Sequence, residues 1–542
     1  MKKYFVVAIA VLAMVAIAVP ASAKVEFSYG GLFRARVISQ NDFAYGYGNG
    51  SLATSGAIDW TEESLNRFDQ RTRLYFIFTA SENLKLVTRL EWNEIWGNSA
   101  TSGRVGADRG DVVVKNSYID FNIPNGAMPI NAKVGVQGIN LLNSWMIDDD
   151  FSSANLTFKF NDSLKASIGY IAGRNDDVFQ ENDNIDDLFL VVDYVCGPWS
   201  ASVVGVAQWA NDNNASADPQ TLITSPIDAV NQLPAVTVQD ATKHGHGSIA
   251  PIDITTPSNY FRRYLANAAG GFNRYMTTDN QLYNLGFDVR YKTENLAAYL
   301  TFIKNFGSAS FVAFNNDGTG RILNHMTRDF DYLGWMVDAG VNYYCGPFTL
   351  NLGGFYTTGS EDIEDSFKIN GVGQYKKTGD MHAFTYALDT TKYFSEIIGG
   401  GILDNVAPSH EDLQWHGYGM PSNLWTITAG AAWQALPTTK ISFSYWYFGT
   451  AEDVVSGPKR PGDFVNQQDF LNQYFGPQNL TNKDLTFGSE IGHEFDLVIS
   501  QKIVDGLMLD LVGAYLLSGE AYSLSPDDQD ALELGARLQW TF

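Results

Sequence analysis

The sequence has only two cysteines among 542 residues, too few for a disulfide scaffold. Charged residues make up 18%, below the roughly 25% usual in soluble globular proteins. Lysine and arginine number 36 against 60 aspartates and glutamates, and the net charge of −24 has the wrong sign for a nucleic-acid-binding chain. Beyond the N-terminal segment no apolar run approaches the ~20 residues of a membrane helix. The 45% hydrophobic content excludes intrinsic disorder, so a large soluble β-protein and a transmembrane β-barrel remain.

The N-terminal segment predicts export. Two lysines at positions 2 and 3 precede an apolar run over residues 4–19, which Pro20 ends before the small residues 21–23. This order is typical of a secretory signal peptide. We therefore expect residues 1–23 to be removed by cleavage after Ala23, leaving 24–542 as a single domain.

From Val25 onward, apolar and polar residues alternate with a period of two, which is typical of half-buried strands. Tight turns such as 161–163 and 345–347 alternate along the chain with long polar links such as 139–152, 211–280, 307–332 and 360–422. A soluble sandwich has no reason to sort its links in this way. A membrane barrel does, because its periplasmic turns are short and its extracellular loops are long. The sequence thus predicts an all-β fold: a transmembrane antiparallel β-barrel of about 18 strands, with roughly 16 to 20 as the range.

A barrel of this size encloses a polar lumen, and one face of the predicted strands is charged. The inward basic residues fall in the first seven strands: Arg34, Arg36, Arg71, Arg73, Lys85, Arg89, Lys133, Lys159 and Lys165. The later strands carry inward acids instead: Asp193, Asp288, Asp338, Glu494, Asp496 and Asp510. We expect a field between a basic wall and the opposite acidic wall, which would orient dipolar solutes. The alternative is that these charges are simply solvated.

The link 139–152 mixes apolar residues with three consecutive acids, Asp148, Asp149 and Asp150. Because its apolar residues would be costly to expose, we expect the link to fold against the inner wall. The three acids would then face the basic wall and form a constriction. Alternatively they lie at the rim and bind divalent cations or the ions that bridge lipopolysaccharide. Plain solvation is a third interpretation, and no other cofactor or metal is expected.

Three stretches, 68–92, 117–141 and 146–173, together with the C-terminal strand 532–542, resemble Gram-negative outer-membrane porins. The resemblance is to the alginate-export-like branch and to the porins of sulfate- and metal-reducing bacteria. It implies a channel in the outer membrane, in contact with lipid and lipopolysaccharide, and it leaves a homotrimer open. It also implies that Arg71, Arg73, Arg89 and Lys133 form a basic ladder facing an acidic loop. Val136 stands where the family usually has an arginine, which weakens the case for an anionic polysaccharide as substrate.

The function predicted from the sequence is passive diffusion of small hydrophilic solutes and ions. Enzymatic chemistry is not expected, because six of the seven histidines fall in long links with no nucleophile motif. The pair His244 and His246 lacks the further ligands of a metal site. Three alternatives stay open: a barrel sheath around an electron-transfer cytochrome, a substrate-specific channel for an anionic saccharide, and a surface adhesin.

The two cysteines occupy matched turns, with Cys196 and Cys345 each followed by Gly-Pro. Four strands separate these turns, which places them roughly 20 Å apart at the usual strand spacing. A disulfide needs Cα atoms within about 7 Å. We therefore expect no bridge between them within one chain.

Overall fold

The computed structural model describes residues 25–43, 64–97, 112–124, 128–174, 185–210, 274–316, 322–359, 381–404, 417, 419–458, 485–522 and 530–542. The predicted signal peptide lies outside these residues. Among them, no helix is long and apolar enough to cross a membrane.

The described residues form nineteen strands. These are β1 (Glu26–Asn41), β2 (Leu65–Ser81), β3 (Leu84–Ile95), β4 (Val113–Ile123), β5 (Ile130–Leu141), β6 (Ile147–Lys159), β7 (Leu164–Arg174), β8 (Ile185–Cys196), β9 (Trp199–Ala210), β10 (Arg274–Lys292), β11 (Leu296–Asn316), β12 (Ile322–Asp331), β13 (Trp335–Cys345), β14 (Phe348–Thr357), β15 (Trp425–Leu436), β16 (Thr439–Pro458), β17 (Leu485–Val504), β18 (Leu507–Ser518) and β19 (Ala531–Thr541).

The strands close into an antiparallel barrel. Each strand pairs with its sequence neighbour, and β1 pairs with both β2 and β19. Strand β12 is the exception. It pairs only with residues 308–316 of β11, while residues 296–304 of β11 pair with β13. The wall therefore has 18 strands, which confirms the predicted count and fold class. The link predicted over 307–332 instead contains β12, together with the extension of β11 that pairs with it.

Among the described residues, the short hairpin turns of the wall lie at one end of the barrel, except for the turn between β5 and β6 at the other end. The three-residue link between β12 and β13 also lies at that other end. Residues predicted as the long link 139–152 belong mostly to β5 and β6, which are joined by a turn of five residues, 142–146. Asp148, Asp149 and Asp150 pair in register with Asn140, Ile139 and Gly138. Polar composition made this hairpin look like a loop, but strand pairing satisfies its backbone. The prediction of a loop at Asp148, Asp149 and Asp150 is therefore wrong.

The two faces of the wall differ as the period of two predicts. Large apolar side chains are exposed on the outer face, as with Leu350, Leu352 and Ile427, which are 51%, 55% and 56% exposed. The inner face carries the charged residues, and the strand registers connect them side by side around the ring. Arg34 pairs with Arg71, for example, and Ser202 with Asp288. The outer face is thus suited to an apolar surrounding and the inner face to water.

Cys196 ends β8 and Cys345 ends β13, and both thiols are free and exposed. Gly197 and Gly346 follow them at φ 56° and 59°, a left-handed conformation that glycine adopts without strain. We expect a maleimide reagent to label two thiols per chain, without prior reduction, and mass spectrometry to count them. A reduced sample is the control and should give the same count. A peptide in which Cys196 is joined to Cys345 within one chain would contradict the strand order.

Candidate functional site inside the barrel

A segment between β14 and β15 crosses the interior of the barrel. This inner loop, residues 381–404, contacts β11 through Thr385, whose backbone N–H donates to Asn305 Oδ1 at 2.9 Å. Farther on, the backbone N–H groups of Ile397 and Ile398 donate to Glu494 of β17 at 2.6 and 3.1 Å. The loop ends at Asp404 against β1 and β2. Since β11 and β1 lie on opposite sides of an 18-strand ring, the inner loop spans the lumen.

Apolar packing holds the inner loop in place. Its fully buried side chains are Phe384, Ala387, Leu388, Ile397, Ile398 and Leu403. Most of them belong to one cluster with inward residues of the wall, such as Met336, Phe355 and Phe448. Burial of apolar surface contributes about 25 cal/mol per Å². The packing of these side chains therefore stabilises the position of the loop inside the barrel. The sequence alone did not decide whether the link 360–422 enters the lumen.

The turn between β5 and β6 also projects inward. This inner turn, residues 142–146, places Leu142, Asn143 and Ser144 at φ 50°, 57° and 64°, a left-handed conformation that is costly for residues other than glycine. Its anchor is Trp145, which is completely buried. The indole Nε1–H donates to Asp338 Oδ2 of β13 at 2.6 Å, and the ring packs edge-on against Phe355 at 5.0 Å.

The inner turn and the inner loop contact each other. Lys392 of the loop donates to the carbonyl of Asn143 at 3.0 Å, and its Nζ lies 5.0 Å from the centre of the Trp145 ring. The Thr390 hydroxyl donates to the carbonyl of Ser144. Burial lowers the pKa of Lys392, which the nearby Asp338 partly offsets. The inner loop and the inner turn therefore form one constriction. The sequence analysis predicted that the segment containing the inner turn folds against the inner wall, but it made no such prediction for the inner loop.

Asp404 is the acid that meets the basic wall. Its Oδ2 accepts from Arg34 Nη1 at 2.8 Å and from Arg71 Nη1 at 3.0 Å, and Tyr393 donates to its other oxygen. Burial by itself would raise the pKa of Asp404, but the two guanidinium groups outweigh it and hold that pKa well below its usual range. Asp404 therefore faces the basic wall, as the sequence analysis had expected of Asp148, Asp149 and Asp150.

The three acids of β6 have other partners. Asp148 accepts from the Ser144 hydroxyl at 2.6 Å, and Asp150 pairs with Lys115 at 2.5 Å. By strand parity Asp148 and Asp150 belong to the outward row, and only Asp149 belongs to the inward row. Consecutive residues of a strand point to opposite faces, so the three acids do not act together. They do not face Arg34 or Arg71.

Most of the predicted basic residues are neutralised by neighbours on the same side of the barrel. Arg36 binds Asp69 through two hydrogen bonds of 2.7 and 2.8 Å, and Arg73 pairs with Glu91. The remaining ion pairs of this set are Arg71 with Glu91 at 4.0 Å, Lys85 with Asp120 at 3.2 Å, Lys159 with Asp162 at 2.8 Å and Lys165 with Asp193 at 3.4 Å. Arg67, which the sequence analysis did not select, pairs with Asp69 at 2.9 Å.

Arg89 and Lys133 differ from the other predicted basic residues. Among the described residues, neither has an acidic partner within ion-pair distance. Lys133 Nζ lies 5.7 Å from the centre of the Tyr118 ring, a cation–π contact. Within the described ranges, Arg89, Tyr118 and Lys133 have no hydrogen bond to the inner loop. In that part of the chain, this side of the lumen therefore carries two cations outside any ion pair.

The predicted inward acids also lie on the inner face, and each has local partners. Asp338 accepts from Tyr299 at 2.9 Å as well as from Trp145, and it lies 3.6 Å from Lys392. Asp288 pairs with Arg290 at 2.6 Å, and Asp510 with Arg537 at 2.9 Å. Asp193 has Lys165, while Glu494 and Asp496 lie under the inner loop. Pairing between neighbours thus reduces the field expected between opposite walls.

Asp404, Lys392 and Glu396 are functional candidates that the sequence analysis missed. They lie in the link 360–422, which the sequence analysis treated as a polar loop, and charged residues are common in such loops. One signal could have pointed to them: buried-type residues at 397 and 398 followed by three glycines, 399–401, which is unusual for a solvated loop. Among the described residues, no three His, Cys, Asp or Glu side chains are placed to hold a metal ion.

No protein-family model matches the chain, and no curated protein sequence is similar to it. Several solved structures are similar in fold. Pseudomonas aeruginosa OpdQ has a TM-score of 0.45 at 9% identity, covering 95% of this chain and 97% of that one. P. aeruginosa OccK11 (OpdR) has a TM-score of 0.42 at 11% identity, covering 95% and 96%. Acinetobacter baumannii OccAB4 has a TM-score of 0.43 at 10% identity, covering 97% and 100%. The chain is thus similar to these three structures over nearly the whole length of each.

Proposed function

We propose that the protein is an outer-membrane porin that lets small hydrophilic solutes and ions diffuse passively, without catalysis. One observation carries the proposal: a closed 18-strand wall exposes apolar side chains outside and charged side chains inside. An apolar exterior on a closed sheet is stable in lipid, because each of the 18 strands of the wall is paired on both sides and the wall has no open edge. A charged interior of this size admits water.

The proposal includes the location and the surroundings of the chain. Removal of residues 1–23 by a signal peptidase would deliver residues 24–542 across the inner membrane. The barrel would then contact lipid and lipopolysaccharide through its outer face, with its short turns toward the periplasm. A homotrimer is compatible with this arrangement.

The constriction narrows the path and moves it to one side. The inner loop and the inner turn contact five strands of the wall. These contacts are with Gln208 of β9, Asn305 of β11, Asp338 of β13, Glu494 of β17 and Arg34 of β1. They support a position of both segments along these strands. Among the described residues, the side of the lumen away from these contacts borders β3 to β5, where Arg89 and Lys133 lie outside any ion pair. We infer that the field acting on a solute comes mainly from these two cations. The fields of the two opposite charges in an ion pair largely offset each other, and the solution screens what remains.

The experiment that tests the proposal is single-channel recording. Purified protein in a planar bilayer should give stable ohmic steps, and a tenfold KCl gradient should give a reversal potential that favours the anion weakly. A sheath for an electron-transfer cytochrome would give no stable steps without its partner, and an adhesin would give none at all. A channel specific for an anionic saccharide would conduct and be blocked by that class of solute at low concentration.

Reversing the charge of Arg89 and Lys133 together, as R89E/K133E, should shift the reversal potential toward cations. The reason is that these residues act at contact distance on a partly desolvated ion, where screening is weak. K502E is a matched control, since Lys502 pairs with Asp505 on an exposed turn at 2.5 Å. An R89E/K133E channel with unchanged selectivity would show that solutes take another side of the lumen.

A further inference from the structure

The inner loop lies over a group of three buried carboxyl groups. Glu494 and Asp496 project inward from β17 and are 0% and 3% exposed, and Glu396 of the loop is 6% exposed. The backbone N–H of Glu396 donates to Asp496, and the two carboxyl groups would repel each other if both were ionised. Arg537 of β19, a cation whose charge acts on Glu396, is already paired with Asp510 of β18 at 2.9 Å. Three full negative charges at this place would have no adequate compensation.

Only Glu494 is provided with the hydrogen bonds that an ionised carboxylate needs. It accepts from the Ser395 hydroxyl at 2.9 Å as well as from the backbone N–H groups of Ile397 and Ile398. By contrast, Asp496 accepts from Ser444 of β16 at 3.2 Å and shares a side-chain hydrogen bond with Glu494. Two buried carboxyl groups can share such a hydrogen bond only if one of them is protonated.

Glu396 is held in place by backbone atoms of its own loop. One of its oxygens accepts from the backbone N–H of Ile402 at 2.9 Å. Gly401, at φ 39°, packs so closely on this carboxyl group that any Cβ would collide with it. Burial first, and then the charge of Asp496, raise the pKa of Glu396 to about 8.

The missing compensation could come from a metal ion or from protons. The described residues offer no three ligands in a metal-binding arrangement. We propose that Glu396 and Asp496, packed beside Glu494, form a proton-binding site that keeps the inner loop docked, so that loss of these protons releases the loop and widens the pore. The effect on the pore rests on the proposed channel function, whereas the proton-linked docking does not.

The direction of the pH dependence follows from linkage. A released Glu396 would have its ordinary pKa near 4.5, and the docked group has a pKa of about 8. Docking therefore takes up a proton in this interval. Its equilibrium constant is highest below about pH 4.5 and falls by up to about tenfold per pH unit until about pH 8. The charged groups that face the site do not reverse this sign, because Arg537 stays paired with Asp510 and Arg34 and Arg71 stay with Asp404.

Hydrogen–deuterium exchange of the membrane-inserted protein, at pH 6 and at pH 9, tests the docking without reference to conduction. After correction for intrinsic rates, we expect the protection of amides 397–403 to fall by at least tenfold at pH 9. The variant E396Q, which imitates the protonated acid, should remove most of that difference. E82Q, in the exposed turn between β2 and β3, is the control and should behave as the parent protein does.

Equal protection of amides 397–403 in the parent protein at the two pH values would overturn the proposal, whatever the variants do. Single-channel recording separates this result from the channel function. Conductance that rises at pH 9 together with exchange supports both. Exchange that changes in a protein that never conducts supports the proton site and contradicts the channel.

Discussion

Replacing Asp404 with asparagine should open the constriction at its basic side and make the channel more selective for anions. Arg34 and Arg71 have side chains that are only 7% and 8% exposed, and Asp404 is their shared acid. Removing one partner of a buried ion pair costs about 3–5 kcal/mol, since the other charge stays buried without compensation. Arg71 keeps Glu91 at 4.0 Å, whereas Arg34 can lower this cost by admitting water and anions, which displaces the end of the inner loop.

Single-channel recording of D404N should therefore show a larger conductance and a reversal potential shifted toward the anion. D505N is the matched control, because Asp505 is 96% exposed and pairs with Lys502 on a turn. Exposed ion pairs contribute about 0–1 kcal/mol, so D505N should leave both quantities unchanged. A D404N channel with the conductance and selectivity of the parent protein would mean that the loop is held without this acid.

Replacing Trp145 with alanine should release the inner turn. Trp145 is completely buried, and loss of a buried tryptophan costs about 3–5 kcal/mol. The indole also donates to Asp338, which would lose this hydrogen bond. Without its anchor, the turn has no compensation for three residues in the left-handed region, and it should relax toward the extracellular side.

We expect W145A to conduct with larger and noisier steps, and amides 142–146 to exchange faster, while the barrel unfolds at nearly the parent temperature. W145F is an intermediate change, because it keeps a ring against Phe355 but loses the N–H donor and part of the buried volume of the indole. It should lie between the parent protein and W145A, at a cost of about 1–3 kcal/mol. W96A, at a tryptophan that is 52% exposed on the outer face, is the control. Protection of amides 142–146 that is unchanged in W145A would show that Lys392 and Thr390 hold the turn by themselves.

The sequence analysis predicted from strand parity that Arg34 and Asp338 point inward, but it did not identify the groups that compensate them. Their partners Asp404 and Lys392 come from a link whose composition is that of an ordinary polar loop. The three acids at 148–150 drew attention because they are consecutive. Consecutive position is the wrong criterion in a strand, where neighbours point apart.

Alternation with a period of two determined by itself that this chain forms a closed wall of 18 strands with a charged interior, because each strand shows its two faces within a few residues. Only the tertiary structure decided what fills that interior. Asp404 meets Arg34 across 370 positions of sequence, and Trp145 meets Asp338 across 193. No local pattern encodes such contacts. They arise when the wall closes and apolar side chains of the inner loop and the inner turn find a buried surface inside it.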